Sequence, residues 1–160
     1  GDDEILDSGW SPQISVGITV MIPEDYVPDL HLRMGLYRRL GELTELSEID
    51  GLGAEMIDRF GPLPTEVQNL LKVVYVKSLC RIANVEKLDA GPKGLVVSFR
   101  DKLFPNPAAL VGYIGRQGTM EKIRPDQSVF LTRDLPTPEK RLTVAAQVMK
   151  QFAELAKQTD

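Results

Sequence analysis

The chain has 160 residues, of which 42% are hydrophobic and 26% charged, with a net charge of −4 and a pI of about 5.1. A chain of this length buries roughly 70% of its unfolded surface and needs no metal or disulfide to fold, which excludes disorder as its overall state. The acidic balance, with basic residues scattered along the sequence, argues against a non-specific nucleic-acid binder, whose affinity comes from clustered cations that release phosphate counterions.

Cys80 is the single cysteine, so no intrachain disulfide can form, as suits a reducing, cytoplasmic compartment. No apolar run approaches the roughly 20 residues that span a bilayer, so no membrane association is expected, and no signal peptide opens the chain. The chain starts at Gly1 rather than Met and reads as a piece excised from a larger protein.

Residues 1–12 are acidic and lack periodicity; they read as a flexible acidic linker, which Trp10 is expected to pin to the folded body at 13–160. Ile14, Val16, Ile18, Val20 and Ile22 alternate with Ser15, Gly17, Thr19 and Met21, the period-2 pattern of a half-buried strand that Pro23 ends. Asp29 or Pro28 starts a helix with Leu32, Leu36, Leu40 and Leu43 at helical spacing beside Tyr37. Ser47 opens the next helix and forms with Asp50 a pattern resembling a capping box. Its stripe is Ile49, Leu52, Met56 and Phe60, and Gly61 and Pro62 stop it. Gly51 and Gly53 weaken this helix by about 1 kcal/mol each relative to Ala.

Pro64 or Thr65 begins the clearest helix, with Val67, Leu70, Leu71, Val74, Tyr75, Ser78, Leu79 and Ile82 on one face. Strands at Val85–Asp89 and Leu95–Phe99 then form a hairpin through Gly91-Pro92-Lys93-Gly94. Asn106 caps a short helix with Pro107 at its first position, Leu110, Val111 and Ile114 inward, and Gly118 beyond its end. A second hairpin, Met120–Arg124 and Ser128–Thr132, turns at Pro125-Asp126. Thr137 and Pro138 start a last helix with Leu142, Ala145, Met149, Phe152 and Leu155 or Ala156 inward. Segregated blocks of helices and strands predict an α+β fold: a single compact domain with a mixed or antiparallel sheet of about five strands and about five helices.

The search for chemistry finds no catalytic residue. His31 is the only histidine, and no G-x-S-x-G elbow accompanies it. One His and one Cys cannot build the usual zinc sites, and there is neither a calcium loop nor a phosphate loop. No metal and no cofactor are expected. Carboxylate pairs occur at Glu24-Asp25, Glu45 with Glu48, and Glu55 with Asp58, and solvated charge is the default reading of each. Glu55 and Asp58 are neighbours three apart on a helix, off its apolar stripe, in the half where the macrodipole disfavours acids. Arg59 is placed to neutralise them locally; otherwise they await a basic partner.

Two stretches are distinctive: Ile22-Pro23-Glu24-Asp25-Tyr26-Val27-Pro28-Asp29 with Arg33 and Leu36-Tyr37-Arg38-Arg39-Leu40, and Glu55-Met56-Ile57-Asp58-Arg59-Phe60-Gly61-Pro62-Leu63-Pro64. Together with the Asn106-Pro107 helix start they resemble the C-terminal regulatory domain of the bacterial transcription-repair coupling factor, Mfd, over about Ile14 to Leu155. The resemblance implies a non-catalytic, autoinhibitory domain of a DNA translocase acting in transcription-coupled nucleotide excision repair. Such a domain docks on the UvrB-like module of the same polypeptide, masks its UvrA-binding surface and restrains the motor until RNA polymerase is engaged. UvrA and RNA polymerase are then indirect partners, and no direct DNA binding is expected in isolation. By position, the resemblance makes Glu55, Asp58 and Arg59 the partner interface, the acids facing arginines of that module; Gly51 and Gly53 depart from the helix-favouring residues of the family. Two rival functions are a nucleic-acid-contacting accessory domain of the translocase and a small hydrolase using His31.

Overall fold

The structure, a computed structural model, describes residues 10–116, 121–124 and 126–158. Among these lie five α-helices and a five-stranded mixed sheet, the α+β arrangement that the segregated blocks predict. The contacts divide the chain into two compact units, one comprising Thr19–Ser78 and the other Trp10–Ile18 with the residues from Leu79 onward.

The first unit is helical. Asp29 caps α1 (Leu30–Glu42), its carboxylate accepting the Leu32 N–H at 2.9 Å. α2 (Leu46–Phe60) starts earlier than Ser47 implies, and Ser47 and Asp50 are not its cap. Glu45 holds the cap position, and Glu48 Oε1 accepts the Glu45 backbone N–H at 3.1 Å. An acid in the first turn meets an unpaired amide and the positive end of the helix dipole at once. The helix runs unbroken through both glycines. Gly53 is buried, and a Cβ there would stand 3.2 Å from Leu71 Cδ1, so its place is one of close helix approach; a Cβ on Gly51 would meet nothing outside its own helix backbone within 4 Å. α3 (Thr65–Ile82) follows.

Ile22, Val27, Leu36, Leu40, Leu52, Met56 and Val67 form the core of this unit, with Tyr26, Tyr37, Phe60 and Leu71 among the residues around it. Leu32, expected inward, is 43% exposed. The single apolar face expected for α3 is also incomplete. Val67, Leu70, Leu71 and Val74 join the first unit's core, while Asn69, Val73, Val76 and Cys80 are buried on a second face and Ile82 is exposed.

The second unit holds the sheet, in the order β1-β2-β3-β5-β4. β2 (Val85–Gly91), β3 (Gly94–Phe99), β4 (Glu121–Ile123) and β5 (Val129–Thr132) are antiparallel neighbours, and β1 (Gln13–Ser15) adds a parallel edge against Lys87–Asp89 of β2. The expected strand from Ile14 to Ile22 is therefore only three residues long. Alternation survives beyond it, with Val16 and Ile22 buried and Ser15, Gly17, Thr19 and Met21 exposed. Gly17, at φ +78°, breaks the extended run, and the chain passes to the first unit after Ile18. Period 2 reports an extended backbone with one face inward and says nothing about which strand, if any, pairs with it.

Asn106 Oδ1 accepts the Ala109 N–H at the start of α4 (Pro107–Arg116). Leu110 and Tyr113 are the buried positions of α4, and Val111, expected inward, is 60% exposed. Gly118 and Pro125 lie outside the described residues. Thr137 caps α5 (Pro138–Lys157), whose buried side includes Leu142, Ala145, Met149, Phe152 and Leu155 as expected. α5 lies along β2 and α4. Phe99, Phe104, Tyr113 and Phe152 cluster with ring centroids 5.3–6.3 Å apart. Of the expected linker, Trp10 carries the Arg100 guanidinium 5.2 Å from its ring centroid, and residues 1–9 lie outside the described part.

Candidate partner-facing site

The two distinctive stretches of sequence meet in the first unit. The Tyr26 hydroxyl is placed to donate to Gly61 O at 2.8 Å and to Met56 O at 3.2 Å, and its ring meets Phe60 edge-on at 5.8 Å. Arg33 Nη1 donates to Val27 O at 2.9 Å, and the Tyr37 hydroxyl accepts the Ile22 N–H at 2.7 Å. Ile22 and Val27 are buried, and burial raises the Tyr26 pKa. Most of the first stretch is thus a structural strap that ties the turn before α1 to the end of α2.

What remains for a partner lies on the outer side of α2. Ile49, Leu52, Gly53 and Met56 face inward, which turns Glu55, Asp58 and Arg59 outward. Glu55 is not vacant. Arg39 of α1 grips it with both terminal nitrogens, Nη1 to Oε2 at 2.5 Å and Nη2 to Oε1 at 2.9 Å. Arg59, one turn along α2, adds Nη1 to Oε2 at 3.2 Å, and its guanidinium carbon stands 4.9 Å from the Phe60 ring centroid. The Arg39 hydrogen bonds, seconded by Arg59 and the charges of both, hold the Glu55 carboxyl down at about 2 against an ordinary 4.5. The side chains are 48% (Arg39), 43% (Arg59) and 37% (Glu55) exposed, so water and salt screen the cluster.

Asp58 stands apart. It is exposed, and its side chain makes no hydrogen bond or ion pair with a described residue. The expected local neutralisation by Arg59 therefore takes the form of an ion pair with Glu55, and Asp58 forms none with a described residue. Two guanidiniums against one carboxylate give the cluster one positive charge, which Asp58 offsets.

Sequence reasoning missed Arg39. It lies 16 residues before Glu55 on another helix, beyond the reach of any spacing rule. Leu36 and Leu40 are buried on α1, which places Arg39 on a flank, but only the packing of α1 beside α2 decides that Arg39 and not Arg38 meets Glu55.

The other sequence candidates are dispersed. His31 is exposed in the first turn of α1 with no hydrogen bond to a described residue. Glu45 and Glu48 serve the start of α2, and Cys80 is buried. Among the described residues no three His, Cys, Asp or Glu gather as metal ligands would, and no helix is long and apolar enough to cross a membrane.

Comparison with known proteins bears on this surface. A family model described as the TRCF domain matches residues 16–110, which contain both stretches and the whole cluster. The chain is 38% identical over 134 residues to a transcription-repair-coupling factor of Rickettsia prowazekii, covering 84% of this chain and 12% of that protein. It is 27% identical over 158 residues to a transcription-repair-coupling factor of Escherichia coli, covering 98% of this chain and 14% of that protein. The chain thus spans about an eighth of the length of these relatives. The fold is similar to a crystal structure of the C-terminal domain of transcription-repair coupling factor, with a TM-score of 0.69 at 18% identity over 96% of this chain and 99% of that one. With a family model matching more than half of its length and relatives matching most of it, the chain belongs to the transcription-repair coupling factor family, of which it carries the TRCF domain.

Proposed function

We propose that this chain is a non-catalytic regulatory domain that docks, through the outer face of α2, on the UvrB-like module of its own polypeptide. Docked there, it masks the UvrA-binding surface and restrains the DNA translocase until RNA polymerase is engaged. The observation that carries the reading is the placement of Glu55, Asp58 and Arg59: they are charged, lie off the buried stripe of α2, and Glu55 and Arg59 are held by solvent-screened ion pairs. A contact within one chain that must open on demand suits a polar, charge-rich interface, and coupling of a few kcal/mol is enough to redistribute docked and open states.

The test is charge reversal in the full-length parent. Glu55→Arg with Asp58→Arg sets new cations against the basic residues of the module, and like charges at an interface expel one another. UvrA binding and basal ATPase should both rise. Glu55→Arg also places a third arginine beside Arg39 and Arg59, so the melting temperature of the isolated double variant is the control for fold. Wild-type UvrA binding and wild-type basal ATPase in an intact double variant sink the assignment.

A further inference from the structure

The Glu55 carboxylate is occupied before any partner arrives. Arg39 takes one whole edge of it in fork geometry, Nη2 on Oε1 and Nη1 on Oε2, and Arg59 takes a second position on Oε2. An arginine of a docking partner seeks that same edge, because two parallel N–H donors need both oxygens. We propose that Arg39 is a built-in competitor at the docking site: a basic side chain of the partner exchanges with Arg39 on Glu55, and the docked state is one in which Arg39 has been released. The inference rests on the docking reading above and adds what limits its strength.

Several features favour exchange over simple addition. The Arg39 side chain is 48% exposed and springs from a different helix, so it can swing into water with no change to the buried side of α1. Arg59 is bound through a single nitrogen from the same helix as Glu55, and it can stay while the edge changes hands. Asp58, exposed and unpaired among the described residues, offers an incoming cation a first hold three residues along the helix. Counted with Asp58, the cluster of Arg39, Glu55 and Arg59 is neutral, and release of Arg39 leaves it one negative charge, so a basic partner meets net attraction there once Arg39 has left.

Exposed ion pairs are marginal, so Arg39 occupies the edge most of the time but not all of it. Apparent affinity is the intrinsic affinity scaled by the fraction of molecules in which the edge is open. Removing the competitor should therefore tighten docking by about two- to five-fold, the range such a weak pair allows.

The experiment measures the dissociation constant between this chain and the separately produced UvrB-like module. The variants are Arg39→Gln, Arg39→Lys, Glu55→Gln and the Arg39→Gln/Glu55→Gln pair, each with a melting curve to confirm the fold. Arg39→Gln should tighten binding by about two- to five-fold. Arg39→Lys, which keeps the charge and loses the fork, should fall between. Glu55→Gln should weaken binding, and Arg39→Gln should then add nothing. If Glu55→Gln leaves binding unchanged, the docking reading fails and takes the exchange with it. If Glu55→Gln weakens binding while Arg39→Gln leaves it unchanged or weakens it, docking stands and the exchange is overturned. Equal tightening by Arg39→Gln with and without Glu55 likewise overturns it, since the effect is then general electrostatics.

Discussion

Glu55 accepts three hydrogen bonds from arginines and releases its proton far below the ordinary carboxylate range. The sign of the pH dependence follows from that depression. A carboxyl whose folded pKa lies below its unfolded one favours the folded state above the unfolded value, here 4.5, and loses the effect as pH falls through about 2. A carbon-detected NMR titration of the Glu55 carboxyl should show its inflection below the ordinary 4.5, moving back toward 4.5 in Arg39→Gln. An inflection near 4.5 in the unmodified chain would show that the Arg39 grip is not populated in solution. Glu55 and Arg59 are legible as neighbours because four residues separate them on one helix; Arg39 joins them only when α1 packs beside α2.

The two glycines of α2 look alike in sequence and differ in the fold. Gly51 is exposed, and a Cβ there would meet nothing outside its own helix backbone within 4 Å, so it contributes only helix-weakening backbone freedom. Gly51→Ala should stabilise the chain by about 1 kcal/mol, read as a higher denaturant midpoint. Gly53→Ala places its methyl 3.2 Å from Leu71 Cδ1 and should gain less or lose stability. A Gly53→Ala gain equal to that of Gly51→Ala would show that α2 and α3 do not approach closely at Leu71. Element types were readable from periodicity and caps: Asp29, Asn106 and Thr137 all stand where the sequence puts them. The start of α2 was not, because Glu45 with Glu48 and Ser47 with Asp50 offer competing caps within three residues of each other.

At the scale of the whole chain the net charge is −4, and the basic side chains of the α1–α2 face share it with Glu55 and Asp58. Duplex DNA should not bind measurably at physiological salt, and the chain should pass through heparin at 50 mM salt. Fluorescence anisotropy with a labelled duplex checks this. Sub-micromolar binding with a steep salt slope would favour a nucleic-acid-contacting accessory domain over the docking domain.

The sequence by itself determined the α+β class, nearly every helix and hairpin, and the family, because apolar periodicity, caps and turn residues are local and the two distinctive stretches lie intact within it. It also showed that Glu55 and Asp58 stand off the apolar stripe, since a helix face follows from spacing alone. Tertiary structure alone decided that the Ile14–Ile22 alternation is a short parallel edge strand followed by an unpaired run, that α3 is buried on two faces, and that Val111 and Leu32 point outward. Each of these depends on which element arrives from far along the chain to cover a face, and a local pattern carries no record of that. The same holds for the site: spacing places two acids on a surface, but only the packing of α1 against α2 makes one of them already paired and leaves the other without a partner among the described residues.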